Sequence, residues 1–163
     1  MSTNPYWEER AALAHFPSLD ADDSTDVVVV GGGITGLTTA LLLAVSGARV
    51  VVLERHRIGS GDTGHTSAHV TMATDTPLHD LVSTFGRAAA RDVWDAGRWA
   101  IARIGDTVRV HDIDADFAWV AGYLHVPHDA PHDMPDALEQ DAALARELGF
   151  DAGLVTEVPF LAT

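Results

Sequence analysis

A run of four valines followed at once by a glycine-rich turn constrains this chain more than any other feature. Val27 to Val30 predicts a short strand, and consecutive β-branched residues are typical of a strand buried on both faces. The turn Gly31-Gly-Gly-Ile-Thr-Gly36 comes next, then an apolar helical stretch at 37–45 and a second strand at 50–53. Together these elements occupy residues 27–54, close to the length of a βαβ unit, about 30 residues. The sequence therefore predicts an α/β fold with a parallel sheet and a right-handed crossover.

The glycines of the turn are spaced as in a dinucleotide-binding, Rossmann-like unit. Gly31 suits the tight turn, Gly33 lets the backbone approach a pyrophosphate, and Gly36 lets helix and strand pack closely. The helix N-terminus offers N–H groups and partial positive charge to the phosphates. Glu54 follows the second strand, 21 residues after Gly33, where a carboxylate accepts the hydroxyl hydrogens of an adenosine ribose. Its charge would repel a 2′-phosphate, which disfavours NADP.

Two other interpretations share these glycines. The turn could belong to a doubly wound protein that binds no nucleotide, or to an NAD-dependent dehydrogenase domain. A strand, three glycines, small helix residues and an acid at matching spacing favour dinucleotide binding over a bare glycine-rich turn.

Composition excludes several classes of protein. The length of 163 residues suits about one domain, and an apolar fraction of 47% is ordinary for a globular protein. The net charge of −14 repels phosphate backbones, so we expect no nucleic-acid partner. The absence of cysteine rules out disulfides, cysteine nucleophiles, thiolate zinc sites and cysteine-ligated iron–sulfur clusters within this chain.

No targeting signal or membrane span is predicted. Residues 1–10 are polar and acidic, unlike the basic start of a signal peptide. The longest apolar run, 40–45, falls far short of the ~20 residues that cross a bilayer. We expect a cytoplasmic protein with no membrane partner.

The chain divides into three predicted segments. Residues 1–25 form an N-terminal arm, residues 26–75 form the dinucleotide-binding core with a long polar loop, and residues 76–163 form a helical and mixed region. The loop within 56–75 is long and without periodicity, which is typical of a functional or disordered segment.

The third segment carries a helix, a strand and a second helix in the prediction. Thr76 and Pro77 are the expected N-cap and first residue of a long amphipathic helix, or of a broken pair of helices. Three glycines are its expected weak points: Gly86, Gly97 and Gly105. Phe117 to Val126 has strand character, and Pro135 to Leu148 reads as a helix that Gly149 ends.

A histidine cluster is the one candidate for a metal site. His125, His128 and His132 lie near Asp129 and Asp133. These residues stand among prolines, with no helix to set ligand geometry, so we interpret them as a solvated loop and predict no metal.

Three segments resemble the FAD-dependent amine and D-amino-acid oxidase superfamily. They are 28–43, 50–55 and 59–68, which hold the glycine turn, the second strand with its acid, and a loop rich in small polar residues. The motif Thr-Gly-His-Thr-Ser-Ala at 63–68 most resembles bacterial members whose chains continue into a C-terminal Rieske domain. The resemblance is specific over residues 5–70 and diffuse beyond them.

The resemblance implies FAD as the cofactor and a division of labour among its contacts. The residues expected to line the pyrophosphate are Gly31, Gly33, Ile34, Thr35 and Gly36. Glu54 would bind the ribose, and Arg55 would lie beside the adenine. The residues expected along the phosphates toward the flavin are Thr63, Gly64, Thr66 and Ser67. Short polar donors suit an anionic phosphate because they bring little steric bulk.

The resemblance also implies an activity for the intact family. Its members oxidise the C–N bond of a small-molecule amine or amino acid by hydride transfer to the flavin, and they run to several hundred residues. We therefore interpret this chain as an incomplete domain, the N-terminal adenine-binding part of such an enzyme, without a Rieske domain and without an assignable catalytic residue. The alternatives are an NAD-binding domain and a non-catalytic Rossmann-like remnant that acts as a scaffold or interaction module. An exposed sheet edge, through which the chain could self-associate, and the apolar tail at 155–161 motivate the latter.

Overall fold

The computed structural model describes Trp7, residues 13–122 and residues 134–155. The chain forms two compact units, residues 1–69 and residues 70–163. The elements of the first unit are strand β1 (Val27–Val30), helix α1 (Ile34–Val45), strand β2 (Val50–Leu53) and a 3-10 turn (Gly61–Thr63). Those of the second unit are helix α2 (Leu78–Val110) and helix α3 (Met134–Glu147).

The first unit is a βαβ unit, as the sequence predicts. Strands β1 and β2 pair in parallel, with Val27 opposite Val50 and Val30 opposite Leu53. Helix α1 connects them and packs on both strands. Gly47 follows the helix with a φ of +95°. The chain therefore has the Rossmann-like α/β core that its glycine turn indicates.

The expectation that β1 is buried on both faces is wrong for this unit. Val27 and Val29 are half-buried on the α1 side, whereas Val28 and Val30 are 54% and 84% exposed. A strand disappears from solvent only when a layer covers each face of its sheet. In the described part of the chain α1 covers one face of the two-stranded sheet, and no second layer covers the other.

The second unit has an apolar core between its two helices. Its buried members are Leu78, Leu81, Ala90, Ala145, Leu148 and Phe150. Trp94 of α2 meets Phe150 edge-on, with ring centroids 5.2 Å apart. This core holds α2 against α3 and against the residues that follow α3.

Helix α2 is long and amphipathic, and it is interrupted at one of its three expected weak points. Gly86 has φ +85° and ψ +161°, which no helical residue adopts, so the helix breaks there. Gly97 and Gly105 keep helical backbone angles. The sequence alternative of a broken pair of helices is therefore the one that the structure adopts.

The start of α2 differs from the prediction. Pro77 occupies the N-cap position instead of Thr76, and its own side chain makes no cap. The Asp141 carboxylate of α3 accepts hydrogen bonds from the amides of Leu78 (3.1 Å) and His79 (2.8 Å), and His79 Nδ1 lies 2.7 Å from the same carboxylate. A carboxylate is favoured over a hydroxyl here because it also complements the positive end of the helix.

Two further predictions, a strand and a helix, concern the residues between α2 and the end of α3. Residues 117–122 form no strand, since they find no partner strand among the described residues, while 123–126 lie outside the description. Helix α3 matches the predicted helix to within a residue at each end, and Gly149 follows it with φ +92°.

The histidine cluster at 125–132 also lies outside the described residues. No helix in the described part is long and apolar enough to cross a membrane.

We expect Asp141→Ala to lower the free energy of unfolding of the second unit by about 1–2 kcal/mol, because two N-terminal amides of α2 lose their acceptor. Urea denaturation followed by far-ultraviolet circular dichroism measures this loss. The matched control is Glu139→Ala, an exposed acid of the same helix, which we expect to change the value by less than about 0.5 kcal/mol. Equal effects of the two variants would refute the capping role.

Candidate functional site

The candidate site lies where β1 and β2 end, at the carboxyl edge of the parallel pair. Gly31 turns the chain out of β1 with a φ of +107°, a region that L side chains disfavour. Its amide donates to the carbonyl of Leu53 at 2.8 Å, so the turn begins as an extension of the β1–β2 ladder. This bond holds the first glycine beside the end of the neighbouring strand.

Helix α1 begins in close contact with that turn. A Cβ on Gly36 would collide with the carbonyl oxygen of Gly31 and would lie 3.4 Å from Cγ1 of Val29. Only glycine permits this approach of the helix to the strand end. The packing role predicted for Gly36 is therefore present in the structure.

The first turn of α1 presents several amides at the strand edge. The first helical bond runs from the amide of Leu37 to the carbonyl of Gly33 (2.9 Å), and the amide of Ile34 donates to Oγ1 of Thr63 (3.1 Å). Within the described residues no acceptor takes the amides of Gly33, Thr35 and Gly36. Such amides at a helix N-terminus, together with the helix dipole, suit an anionic group.

Glu54 joins the end of β2 to the glycine turn. Its Oε2 accepts from the amide of Gly32 and its Oε1 from the amide of His56, both at 2.7 Å. These two bonds hold the pKa of the half-buried Glu54 carboxyl below its ordinary value, and the bond from the amide of His56 has the larger effect. Each carboxylate oxygen keeps a further lone pair, so the side chain remains an acceptor for two more donors.

The segment 55–69, here called the returning loop, folds back over the glycine turn. The amide of Gly59 donates to the carbonyl of Gly32 at 2.8 Å. Thr63, at the end of the 3-10 turn, is half-buried, and its Oγ1 would lie 3.2 Å from a Cβ on Gly33. Gly64 is buried beside it. The structure thus brings Thr63 and Gly64 to the glycine turn, which lies about 30 residues earlier in the chain.

Three of the residues singled out in the sequence make hydrogen bonds away from the glycine turn. Arg55 is exposed and donates from Nε to Nε2 of His56 (3.2 Å). Thr66 Oγ1 accepts from the amide of Ala68 (3.1 Å), and Ser67 Oγ lies 3.5 Å from the amide of His69. Both side chains are exposed, and no hydrogen bond in the described part of the chain joins them to the glycine turn.

Sequence reasoning missed Gly32, the most connected residue of the turn. Its amide binds Glu54, its carbonyl binds Gly59, and a Cβ would lie 3.0 Å from Cγ2 of Ile58 and 3.1 Å from Cβ of Glu54. The motif leaves this position unspecified, because the spacing Gly-x-Gly names only the flanking residues. The run of three consecutive glycines was the available signal.

Fold and site together define a dinucleotide-binding α/β unit of the Rossmann type. Residues 26–158 match the family described as FAD dependent oxidoreductase, and the chain belongs to that family. The resemblance drawn from the sequence is thereby confirmed, with FAD as the family's cofactor.

Curated relatives extend the comparison. The "Putative Rieske 2Fe-2S iron-sulfur protein YhfW" of Bacillus subtilis is 33% identical over 94% of this chain and 30% of its own length. The gamma-glutamylputrescine oxidoreductase of Escherichia coli is 33% identical over 71% of this chain and 27% of its own length. The chain thus spans about a third or less of the relatives that it matches. No solved structure matches it.

We expect Gly36→Ala to lower the free energy of opening of the β1–β2 pair by about 1–3 kcal/mol, because the added methyl group meets the carbonyl of Gly31. Hydrogen exchange of peptides that cover the two strands measures this opening. Gly153→Ala, where a Cβ meets nothing within 4 Å, is the matched control and should leave exchange unchanged. Wild-type exchange in Gly36→Ala would show that the close approach is not required.

We expect the amide resonances of Gly32 and His56 to titrate with a common midpoint below 4.5, the ordinary pKa of a glutamate. Because folding lowers the pKa of Glu54, the ionised carboxylate stabilises the turn at any pH above the ordinary glutamate pKa. This contribution is lost as the pH falls through the lowered pKa. NMR between pH 6 and pH 2.5 measures the midpoint, and Glu54→Gln should abolish the transition. A midpoint at or above the ordinary value would contradict the two hydrogen bonds.

Proposed function

We propose that this chain binds the ADP half of FAD in a flavin-dependent oxidoreductase, and that the whole protein oxidises the C–N bond of an amine or amino acid. One observation carries the first part: the amides of α1, the hydroxyl of Thr63 and the carboxylate of Glu54 converge at the carboxyl edge of β1 and β2. Family membership supports FAD over NAD as the dinucleotide.

The pyrophosphate would lie on the first turn of α1. The amides of Gly33, Thr35 and Gly36 offer donors there, and the helix dipole favours the negative charge. The oxygen of Thr63 already accepts from the amide of Ile34, so its hydroxyl hydrogen remains available to a phosphate oxygen. These donors together would bind the oxygens of a diphosphate.

The ribose and adenine would lie beside the end of β2. Glu54 is held in its ionised state by two backbone amides, and its remaining lone pairs suit the two ribose hydroxyls. The charge that accepts these hydroxyls repels a 2′-phosphate. The exposed guanidinium of Arg55, the next residue, would lie against the adenine.

The rest of the returning loop would continue the site toward the flavin. Gly64 is buried next to Thr63, whereas the side chains of Thr66 and Ser67 are exposed and carry hydroxyls. Small hydroxyl side chains suit a path along the phosphates and the ribityl chain, because they donate hydrogen bonds at short range. These residues bind and orient, and none of them is assigned a catalytic step.

Family membership and the net charge of the chain support the proposal that the substrate's C–N bond is oxidised. When bound, FAD supplies the chemistry of accepting a hydride from the carbon that carries the amine. The relative from Escherichia coli is named as an oxidoreductase of gamma-glutamylputrescine. The net charge of −14 favours the approach of a cationic amine over that of an anion.

An interaction module is the second candidate function. The exposed valines Val28 and Val30 support it, because an apolar sheet face left in water promotes association. Light scattering after size-exclusion chromatography tests self-association through this face, and a monomer across a wide concentration range would refute it.

We expect the purified chain to keep a flavin absorption spectrum after incubation with FAD and desalting, and to bind FAD more tightly than NADH in calorimetric titration. Glu54→Gln should weaken ADP binding about tenfold, because hydrogen bonds to a charged group are the stronger ones. It should also reduce the preference for ADP over adenosine 2′,5′-bisphosphate.

The matched control is Glu139→Gln, an exposed acid outside the site, which should bind ADP like the wild type. A colourless chain that also fails to bind ADP would refute the proposed function. Equal ADP affinities of the Glu54 and Glu139 variants would refute the ribose role of Glu54 alone.

A further inference from the structure

Two residues of the N-terminal segment contact the returning loop at points seven residues apart. Nε1 of Trp7 donates to the carbonyl of Thr66 at 2.7 Å. The side chain of Leu13 lies over Gly59, whose Cβ position would be 3.7 Å from Cδ1 and 3.8 Å from Cδ2 of Leu13. Trp7 and Leu13 are both half-buried. The loop is thus held from outside near each end of its 59–66 portion.

The contact of Trp7 with Thr66 lies beyond the last hydrogen bond between the returning loop and the glycine turn. Gly59 and Thr63 are hydrogen-bonded to the glycine turn. Beyond Thr63, the loop's other hydrogen bonds are local. The amide of Gly64 and Nδ1 of His65 bind the carbonyl of Gly61, and the amide of His65 binds the carbonyl of Asp62. The amides of Ala68 and His69 bind hydroxyls two residues earlier. Among described residues, the bond from Trp7 is therefore the long-range hydrogen bond that holds the segment 64–69.

That segment also adopts an unfavourable backbone. Ala68 has φ +57°, in the left-handed region that a residue with a Cβ rarely occupies. Its amide binds Oγ1 of Thr66, the residue whose carbonyl accepts from Trp7. A segment whose own hydrogen bonds are all local, and which includes a disfavoured φ, stays in one conformation only when its surroundings hold it.

We infer that Trp7 and Leu13 form a clasp that holds the returning loop in the conformation required for FAD, with Trp7 as a positioning residue. This inference rests on the proposed function. Trp7 acts through the carbonyl of Thr66 and not by touching the cofactor. A loop ordered before the ligand arrives spares the ligand the cost of ordering it, so the clasp raises the affinity for FAD.

Trp7→Phe is the sharpest variant, because it keeps an aromatic ring at position 7 and removes the donor. Hydrogen exchange of a peptide covering 59–69, in the full chain without cofactor, should become about fivefold faster, the effect expected for one net hydrogen bond. Leu13→Ala should also speed exchange of this peptide. The control is Trp99→Phe, which alters an indole that is 56% exposed in the second unit and should leave the peptide unchanged. Wild-type exchange in Trp7→Phe overturns the clasp.

Titrations with FAD and ADP then test the link to the cofactor. Under the proposed function ADP contacts the glycine turn, Glu54 and Thr63, and Thr63 is attached to the turn by its own hydrogen bond to Ile34. Trp7→Phe should therefore weaken FAD binding about fivefold and change ADP binding less than twofold. Equal FAD affinities of wild type and Trp7→Phe, in a chain that binds FAD, overturn the inference and leave the proposed function standing. A wild-type chain that binds neither ligand overturns the proposed function, and the exchange experiment still decides whether the clasp exists.

Discussion

The close approach of Gly36 to the carbonyl of Gly31 is the contact on which the site depends. A side chain at Gly36 would push α1 away from the end of β1. Because the helix starts next to the end of the strand, its first amides lie at the carboxyl edge of the sheet. Ligands of open parallel α/β sheets bind at this edge. Because Gly36 has no Cβ, the positive end of the α1 dipole lies at the edge where the proposed diphosphate would bind.

The same edge is completed by residues that arrive from two other directions. Glu54 comes from the end of β2 and holds Gly32 by its amide, while Thr63 comes from the returning loop and takes the amide of Ile34. Both contacts use the backbone of the turn. Their arrangement therefore depends on the turn's shape more than on the identity of neighbouring side chains. Under the proposed function it preorganises donors and acceptors for the nucleotide.

The predictions that were confirmed rest on local chemistry. The βαβ unit followed from two β-branched runs separated by glycines and an apolar stretch, and the break in α2 followed from Gly86. Those that were wrong depend on partners distant in the chain. Burial of Val28 and Val30 needs a second layer over the sheet, and a strand at 117–122 needs a neighbour to pair with.

The sequence by itself determined the parallel α/β core, the glycine turn and the acid at the end of β2, because these depend on steric limits and short-range spacing. Only the tertiary structure decided that Asp141 caps α2 and that Thr63 reaches the start of α1. It also decided that Trp7 binds the carbonyl of Thr66, 59 residues away. Hydroxyls, carboxylates and indoles bond with any suitable partner within reach, so their partners are selected by the packing of the folded chain and not by spacing in the sequence.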